Sequence, residues 1–212
     1  MIMTKLMEMF EQALLSADRV AARETFIQSA GNTSSIEAVD SMIVPALERI
    51  GSGWENGNVS LSQVYMSARI CEELSESLPG SSNIKNKNLP RIAVALLEDY
   101  HVLGKKIVCS VLKAGGIEFI DYHRASIRQL INRVNREKIE ILLVSVLMLN
   151  SALKIKDLKN EFLEKGIGTK IIAGGAPFRL DENLWQEVGA DAAGRSASDA
   201  LSLVHNFVTD IK

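Results

Sequence analysis

Two spacings of apolar residues divide the chain. Up to about residue 78 they recur at helical intervals, and from Arg91 onward short unbroken apolar runs alternate with helical stripes. Leu6, Met9, Phe10, Ala13 and Leu14 form the first stripe. After Ser16-Ala17-Asp18 a second, short helix carries Val20, Ala21, Phe26 and Ile27. Ser34-x-x-Glu37 has the form of a capping box ahead of Ile36, Val39, Ile43, Leu47 and Ile50. Pro45 falls inside that third stripe and predicts a kink or a late start. Gly51-Ser52-Gly53 predicts its end, and Asn56-Gly57-Asn58 a turn. Leu61, Val64, Ala68, Cys71, Leu74 and Leu78 form the fourth stripe, which Pro79-Gly80 should stop. Four helices on short loops predict a small four-helix bundle.

Residues 79–90 are polar, rich in helix breakers and without apolar periodicity, as a linker is. Beyond them strands are predicted at 91–97, 117–121, 140–146, 169–173 and 190–193. Helices are predicted near 104–114, 125–136, 152–165, 181–188 and 197–209, with Lys165-Gly166-Ile167-Gly168 as a helix stop. Five such strand–helix units imply a doubly wound, five-stranded parallel sheet of flavodoxin type. The expected organisation is a helical bundle over 1–78, a linker over 79–90 and an α/β domain over 91–212.

Composition narrows the function classes. The 212 residues hold 47% hydrophobic and 24% charged side chains, values of an ordinary globular protein. A formal net charge of −2 with scattered Lys and Arg leaves no basic stripe for nucleic acid. The N-terminal segment carries Glu8 and Glu11 and has no signal-peptide core, and no apolar run approaches bilayer length. Cys71 and Cys109 stand far apart, which suggests neither a disulfide framework nor a zinc site, so a reducing cytoplasm is the expected compartment.

The candidate chemistry lies in Glu98-Asp99-Tyr100-His101-Val102-Leu103-Gly104, between the apolar run Ile92 to Leu97 and a helical stripe. Asp99, His101 and Gly104 are therefore expected on a loop at the carboxyl end of a parallel strand, where open α/β sheets place ligands. A loop His can present one ring nitrogen outward while a carboxylate two residues earlier holds the other. Alone, this spacing is also that of an ordinary polar loop. Ser145-Val146-Leu147 ends another apolar run, and Gly174-Gly175 a third.

In this order and on successive strand ends, the three segments resemble the signature of the cobalamin-binding domain of methionine synthase, corrinoid methyl-carrier proteins and some mutases. The stretch Trp54-Glu55-Asn56-Gly57-Asn58-Val59-Ser60-Leu61-Ser62-Gln63-Val64-Tyr65-Met66 is similar to the helical cap of corrinoid proteins, so the resemblance covers nearly the whole chain. It implies cobalamin as cofactor, with the cofactor's own base displaced and His101 as lower cobalt ligand. Asp99 would accept a proton from the other ring nitrogen, and the pair would tune cobalt between Co(I) and Co(III). A relay to a hydroxyl would fall on Ser151, which could instead cap the following helix. Ser145 and Leu147 would line the slot for the nucleotide tail, and Gly174 and Gly175 would let it pass against bare backbone. The two glycines also fit a left-handed turn after a strand. Gly104 would open a helix whose N-terminus faces the ligand. Val64, Tyr65 and Met66 would contact the upper face of the corrin, or else belong to the bundle core.

The family pattern is broken in places. Glu98 stands where Gly is common, Leu149 where Thr is common, Asp121-Tyr122-His123 in place of Asp-Leu-Gly, and Ala193 in place of a late Tyr. His123 is expected on an exposed loop, His205 in the last helix, and Glu72, Glu73 and Glu76 on a solvated helix face. The resemblance implies a carrier of methyl groups, in the methylcobalamin form and Co(I)–Co(III) cycling, between a substrate-specific methyltransferase and an acceptor methyltransferase, with a reductive activase. The donor (methanol, a methylamine, a betaine or a methoxylated aromatic) would be chosen in the partner's active site. A cobalamin-dependent sensor is the alternative, with no helix-turn-helix or basic patch in this sequence to support it. The small subunit of an adenosylcobalamin mutase ranks below it, since such subunits typically lack the cap.

Overall fold

A computed structural model of the chain describes residues 2–30, 35–77 and 90–210. The Ser34 cap, Leu78, the Pro79-Gly80 stop and the linker residues 79–89 lie outside them. The chain divides into two compact units, Met1–Asn86 with Ile107–Glu118, and Lys87–Lys106 with Phe119–Lys212.

The first unit is helical. It contains α1 (Ile2–Leu15), α2 (Arg19–Ala30), α3 (Ser35–Ala38), a π-helical turn at Val39–Ile43, α4 (Val44–Glu55) and α5 (Leu61–Glu76). Pro45 sits at the start of α4. The helical backbone is continuous from Ser35 through the π-helical turn to Glu55, so Pro45 marks a local defect inside a longer helical segment and not a fresh start. Gly51-Ser52-Gly53 does not end the helix, which runs on to Glu55. Gly53 answers a packing need, since a Cβ on it would stand 2.7 Å from Val59 Cγ2. Ser60 caps α5 in a reciprocal box with Gln63, a Ser-x-x-Gln signal legible in the sequence. Phe10 and Phe26 stack at 5.9 Å between ring centroids, and Leu14, Met42, Ile43, Ile50 and Ala68 are buried with them. Met9, Val20 and Ile27, placed on the predicted stripes, are exposed.

Glu72 corrects the reading of a solvated face. It is only 3% exposed and pairs with Lys113 at 2.8 Å and Arg69 at 2.5 Å. Its burial works against ionisation, but the hydrogen bonds from Lys113 and Ser110 and the nearby cations prevail and lower its pKa.

The second unit is the α/β layer. Its elements are β1 (Ile92–Leu97), the start of α6 (Val102–Ala114), β2 (Ile120–Ala125), α7 (Ile127–Glu137), β3 (Ile141–Ser145), α8 (Leu149–Glu164), β4 (Lys170–Gly174), α9 (Ala176–Leu180), α10 (Leu184–Glu187), β5 (Ala192–Gly194) and α11 (Asp199–Asp210). The five strands are all parallel in the order β2-β1-β3-β4-β5. This is the predicted doubly wound sheet. Every residue of β1 is buried, as a central strand covered on both faces requires. On one face Leu97, Leu142, Val144 and Ile171 pack with Leu130 and Val134 of α7 and with Ile155, Leu158 and Phe162 of α8.

The boundaries differ where local chemistry outweighs apolar pattern. The second strand starts at Ile120, not residue 117, and carries a bulge that puts Tyr122 and His123 between the pairs Val94–Asp121 and Leu96–Arg124. His123 is therefore a strand residue, with φ +55° and an 80% exposed side chain, rather than a loop residue. The helix predicted at 181–188 is the shorter α10, Leu184–Glu187, and a further short helix that was not predicted, α9, precedes it at Ala176–Leu180. Among the described residues no helix is long and apolar enough to cross a membrane.

Candidate functional site

The connection after β1 leads to one side of the sheet, and those after β3 and β4 lead to the other. The carboxyl ends of β1 and β3 therefore flank the point where the winding reverses, the ligand crevice of such sheets. Asp99 follows β1 there, and Leu147 and Met148 follow β3.

Asp99 is 2% exposed, and five donors surround its carboxylate. Oδ1 accepts from the Tyr100 amide at 2.7 Å, the His101 amide at 3.0 Å and His101 Nδ1 at 2.6 Å. Oδ2 accepts from the Leu147 amide at 2.8 Å and the Met148 amide at 3.0 Å. Met148 is the N-cap of the 16-residue α8, so the carboxylate also lies at the positive end of that helix. Burial alone would raise the Asp99 pKa. The Met148, Leu147 and His101 donors outweigh it and hold the carboxyl well below the usual carboxylate range.

An ionised carboxylate only accepts, so the 2.6 Å contact requires that His101 Nδ1 carry the hydrogen. In the neutral ring the lone pair then lies on Nε2. The His101 side chain is 51% exposed. A histidine with its tautomer fixed by a carboxylate and its other nitrogen free is the arrangement of a metal ligand.

The remaining candidates lie along the same edge of the sheet. Gly104, in the first turn of α6, has room for a Cβ 3.5 Å from Ser145 Oγ. Ser145 ends β3 in register with Leu96 and Gly174, and Gly174 in turn pairs with Gly194. Three neighbouring strand ends thus carry nothing larger than a hydroxymethyl group. A Cβ on Gly174 would meet only the Gly194 carbonyl at 3.8 Å. Gly175 has a different reason. Its φ of +128° is outside the left-handed helical turn expected for it, and a Cβ would stand 1.7 Å from the Val146 carbonyl oxygen. Leu147 presents an exposed side chain beside its bound amide.

Ser151 differs from expectation. Its hydroxyl donates to the Glu98 carbonyl at 3.2 Å, not to Asp99, whose two oxygens already accept five donors. Nor does it cap the helix, because α8 starts two residues earlier than Ser151. Val64, Tyr65 and Met66 fall in the helical unit on α5, the first buried and the other two half-buried. Ala193 is half-buried in β5, and His205 is exposed on α11.

Sequence reasoning missed several neighbours. Tyr100 is 75% exposed, and the Arg124 guanidinium lies over its ring at 4.0 Å. Val102, Leu103, Met148, Leu149 and Leu153, in the segments flanking Asp99, are exposed as well. Large apolar side chains left exposed around a crevice mark a ligand surface. Their signal was their position off the core stripes of α6 and α8. Lys105, next to Gly104, is buried and reaches Asp121 at 2.5 and 2.6 Å.

Residues 91–202, just over half of the chain, match the B12 binding domain family, and residues 6–78 match a second family also described as B12 binding domain. The chain belongs to the B12 binding domain family. Among relatives of this B12 binding protein, trimethylamine corrinoid protein 1 of Methanosarcina mazei is 27% identical over 88% of the chain and 89% of the relative. A corrinoid protein of Desulfitobacterium hafniense is 25% identical over 98% and 99%. A solved structure of a cobalamin-binding protein from Desulfitobacterium hafniense superposes with a TM-score of 0.76 at 19% identity, covering 95% of this chain and 98% of that one. The methanol:cobalamin methyltransferase complex of Methanosarcina barkeri gives 0.64 at 21% identity, covering 97% and 80%. The residues present fit cobalamin: a fixed histidine tautomer, an exposed apolar rim, and strand ends that carry nothing larger than a hydroxymethyl group at Ser145, Gly174 and Gly194.

Proposed function

We propose that this B12 binding protein carries methyl groups between methyltransferases, with His101 as the lower ligand of cobalt. The chemistry that cobalamin supplies when bound is methyl uptake and release at cobalt, cycling between Co(I) and Co(III). The observation that carries the reading is the His101–Asp99 pair at 2.6 Å on the reversal point of the sheet. His101 would offer Nε2. Asp99, kept ionised by its five donors, would hold the Nδ1 hydrogen and make the ring the stronger electron donor. Ser145, Leu147 and Gly174 would line the slot for the nucleotide tail, and Gly175 would keep the neighbouring backbone close against Val146. Val64, Tyr65 and Met66, in a cap formed by residues 1–78 and linked through 79–90 to the cobalamin domain of residues 91–212, would contact the upper face.

The partners are a substrate-specific methyltransferase, an acceptor methyltransferase and a reductive activase. The relatives named for trimethylamine and monomethylamine make a methylated amine the donor class to test first. The match over residues 6–78 supports a carrier with a helical cap over a mutase subunit. The test is to load the protein with cobalamin, reduce it, and supply methylamines with a methylamine-specific methyltransferase. Methylation at cobalt and its discharge to a thiol or pterin through a second enzyme are expected. A loaded protein that exchanges no methyl group with such partners contradicts the carrier reading.

A further inference from the structure

Glu98 joins β1 to Asp99 with φ +44°, in the left-handed region that a residue with a Cβ enters only at a cost. Four contacts hold it there. Its amide donates to the Ala125 carbonyl at 3.1 Å, and its own carbonyl accepts from Ser151 Oγ at 3.2 Å. Its carboxylate pairs with Lys154 and accepts from the Ile127 amide at 3.4 Å. Ser151 and Lys154 lie one turn apart on α8, while Ala125 and Ile127 lie at the junction of β2 and α7. Glu98 is therefore gripped from two sides at the residue that sets the direction of the next one. The next residue is Asp99.

We propose that Glu98 is a positioning residue for His101: its side chain, clamped by Lys154 and Ile127, holds a left-handed turn that aims Asp99 Oδ1 at His101 Nδ1. Ser151 then acts through the Glu98 carbonyl and not through the Asp99 carboxylate. The clamp does for Glu98 what the missing Cβ does for a glycine. That equivalence separates a turn-holding role from an electrostatic one. The proposal rests on His101 as cobalt ligand for its meaning, but the geometry it concerns exists in the cofactor-free chain.

The test is made on the full cofactor-free protein labelled with ¹⁵N-histidine. Long-range ¹H–¹⁵N spectra report which ring nitrogen carries the hydrogen, and His123 and His205, the other two of the three histidines, serve as controls. Wild type and Glu98→Gly are expected to hold His101 in the Nδ1–H tautomer. Glu98→Ala, which keeps the strained turn without the clamp, should raise the Nε2–H population on the order of tenfold. Lys154→Met should move His101 in the same direction, and adding it to Glu98→Ala should change nothing further. Glu98→Gln guards against a folding defect, since it can still accept from Ile127 and Lys154 and should stay near wild type. Equal effects of Gly and Ala, whether both keep or both lose the tautomer, would overturn the proposal. If the tautomer pattern holds and wild type takes up no cobalamin, the carrier reading falls and this one stands.

Discussion

One carboxylate decides what His101 can do. With Asp99 ionised, Nδ1–H is fixed and Nε2 is the available nitrogen. The same carboxylate serves the Leu147 and Met148 amides, so Asp99→Ala should cost about 1–3 kcal/mol through unsatisfied donors. The sign of the pH dependence follows from the shift. A carboxyl whose folded pKa lies below its unfolded value near 3.9 contributes fully above that value and loses its contribution as pH falls below it. Urea unfolding of Asp99→Asn should therefore show a larger deficit at pH 7 than at pH 3. An equal deficit at both would mean that Asp99 is not held ionised. At this scale the sequence revealed the Asp99–His101 contact, because two residues on one loop need no tertiary knowledge. It could not reveal the Leu147 and Met148 donors, 48 and 49 residues away, and so assigned Ser151 to a place they already filled.

Elements place these residues, and the strand ends are where the proposed cofactor slot can be probed. A Cβ on Gly174 has 3.8 Å to its nearest neighbour, so Gly174→Ala should melt near wild type and still bind cobalamin. Gly174→Leu should fold yet block the slot, cutting cobalamin uptake; undiminished uptake would remove Gly174 from the site. Gly175→Ala differs in kind, because its Cβ would stand 1.7 Å from the Val146 oxygen. It should destabilise the protein by about 3 kcal/mol or more in thermal unfolding, with or without cofactor. The β1 and β3 runs were legible because buried parallel strands are apolar throughout. The β2 boundary was not. Asp121-Tyr122-His123 looks like a loop, yet it sits in a bulged edge strand where Tyr122 donates to Glu137 at 2.9 Å and lies under Arg133 at 3.7 Å. Likewise, Gly51-Ser52-Gly53 reads as a helix stop, yet the helix runs on to Glu55 and Gly53 leaves the space that Val59 fills.

For the molecule as a whole, cofactor binding should appear as stability. A ligand that binds only the folded chain at a hundredfold excess over its Kd adds about 2.7 kcal/mol. Cobalamin should raise the melting temperature of wild type and Gly174→Ala but not of Gly174→Leu; a common shift in all three would indicate binding elsewhere. The alternation of helical stripes with strand–helix units made the two-part architecture legible. The line dividing the compact units was not, since it falls within α6, where one helical stripe runs unbroken from Lys106 to Ile107. The central claim is that His101 binds cobalt. The most direct measurement is electron paramagnetic resonance of the protein loaded with cobalamin and reduced to Co(II), prepared with ¹⁴N- and with ¹⁵N-histidine. The account predicts hyperfine splitting from one nitrogen that changes from a triplet to a doublet pattern with the label and disappears in His101→Ala while cobalamin stays bound. A splitting that ignores the histidine label, or survives His101→Ala, would contradict it.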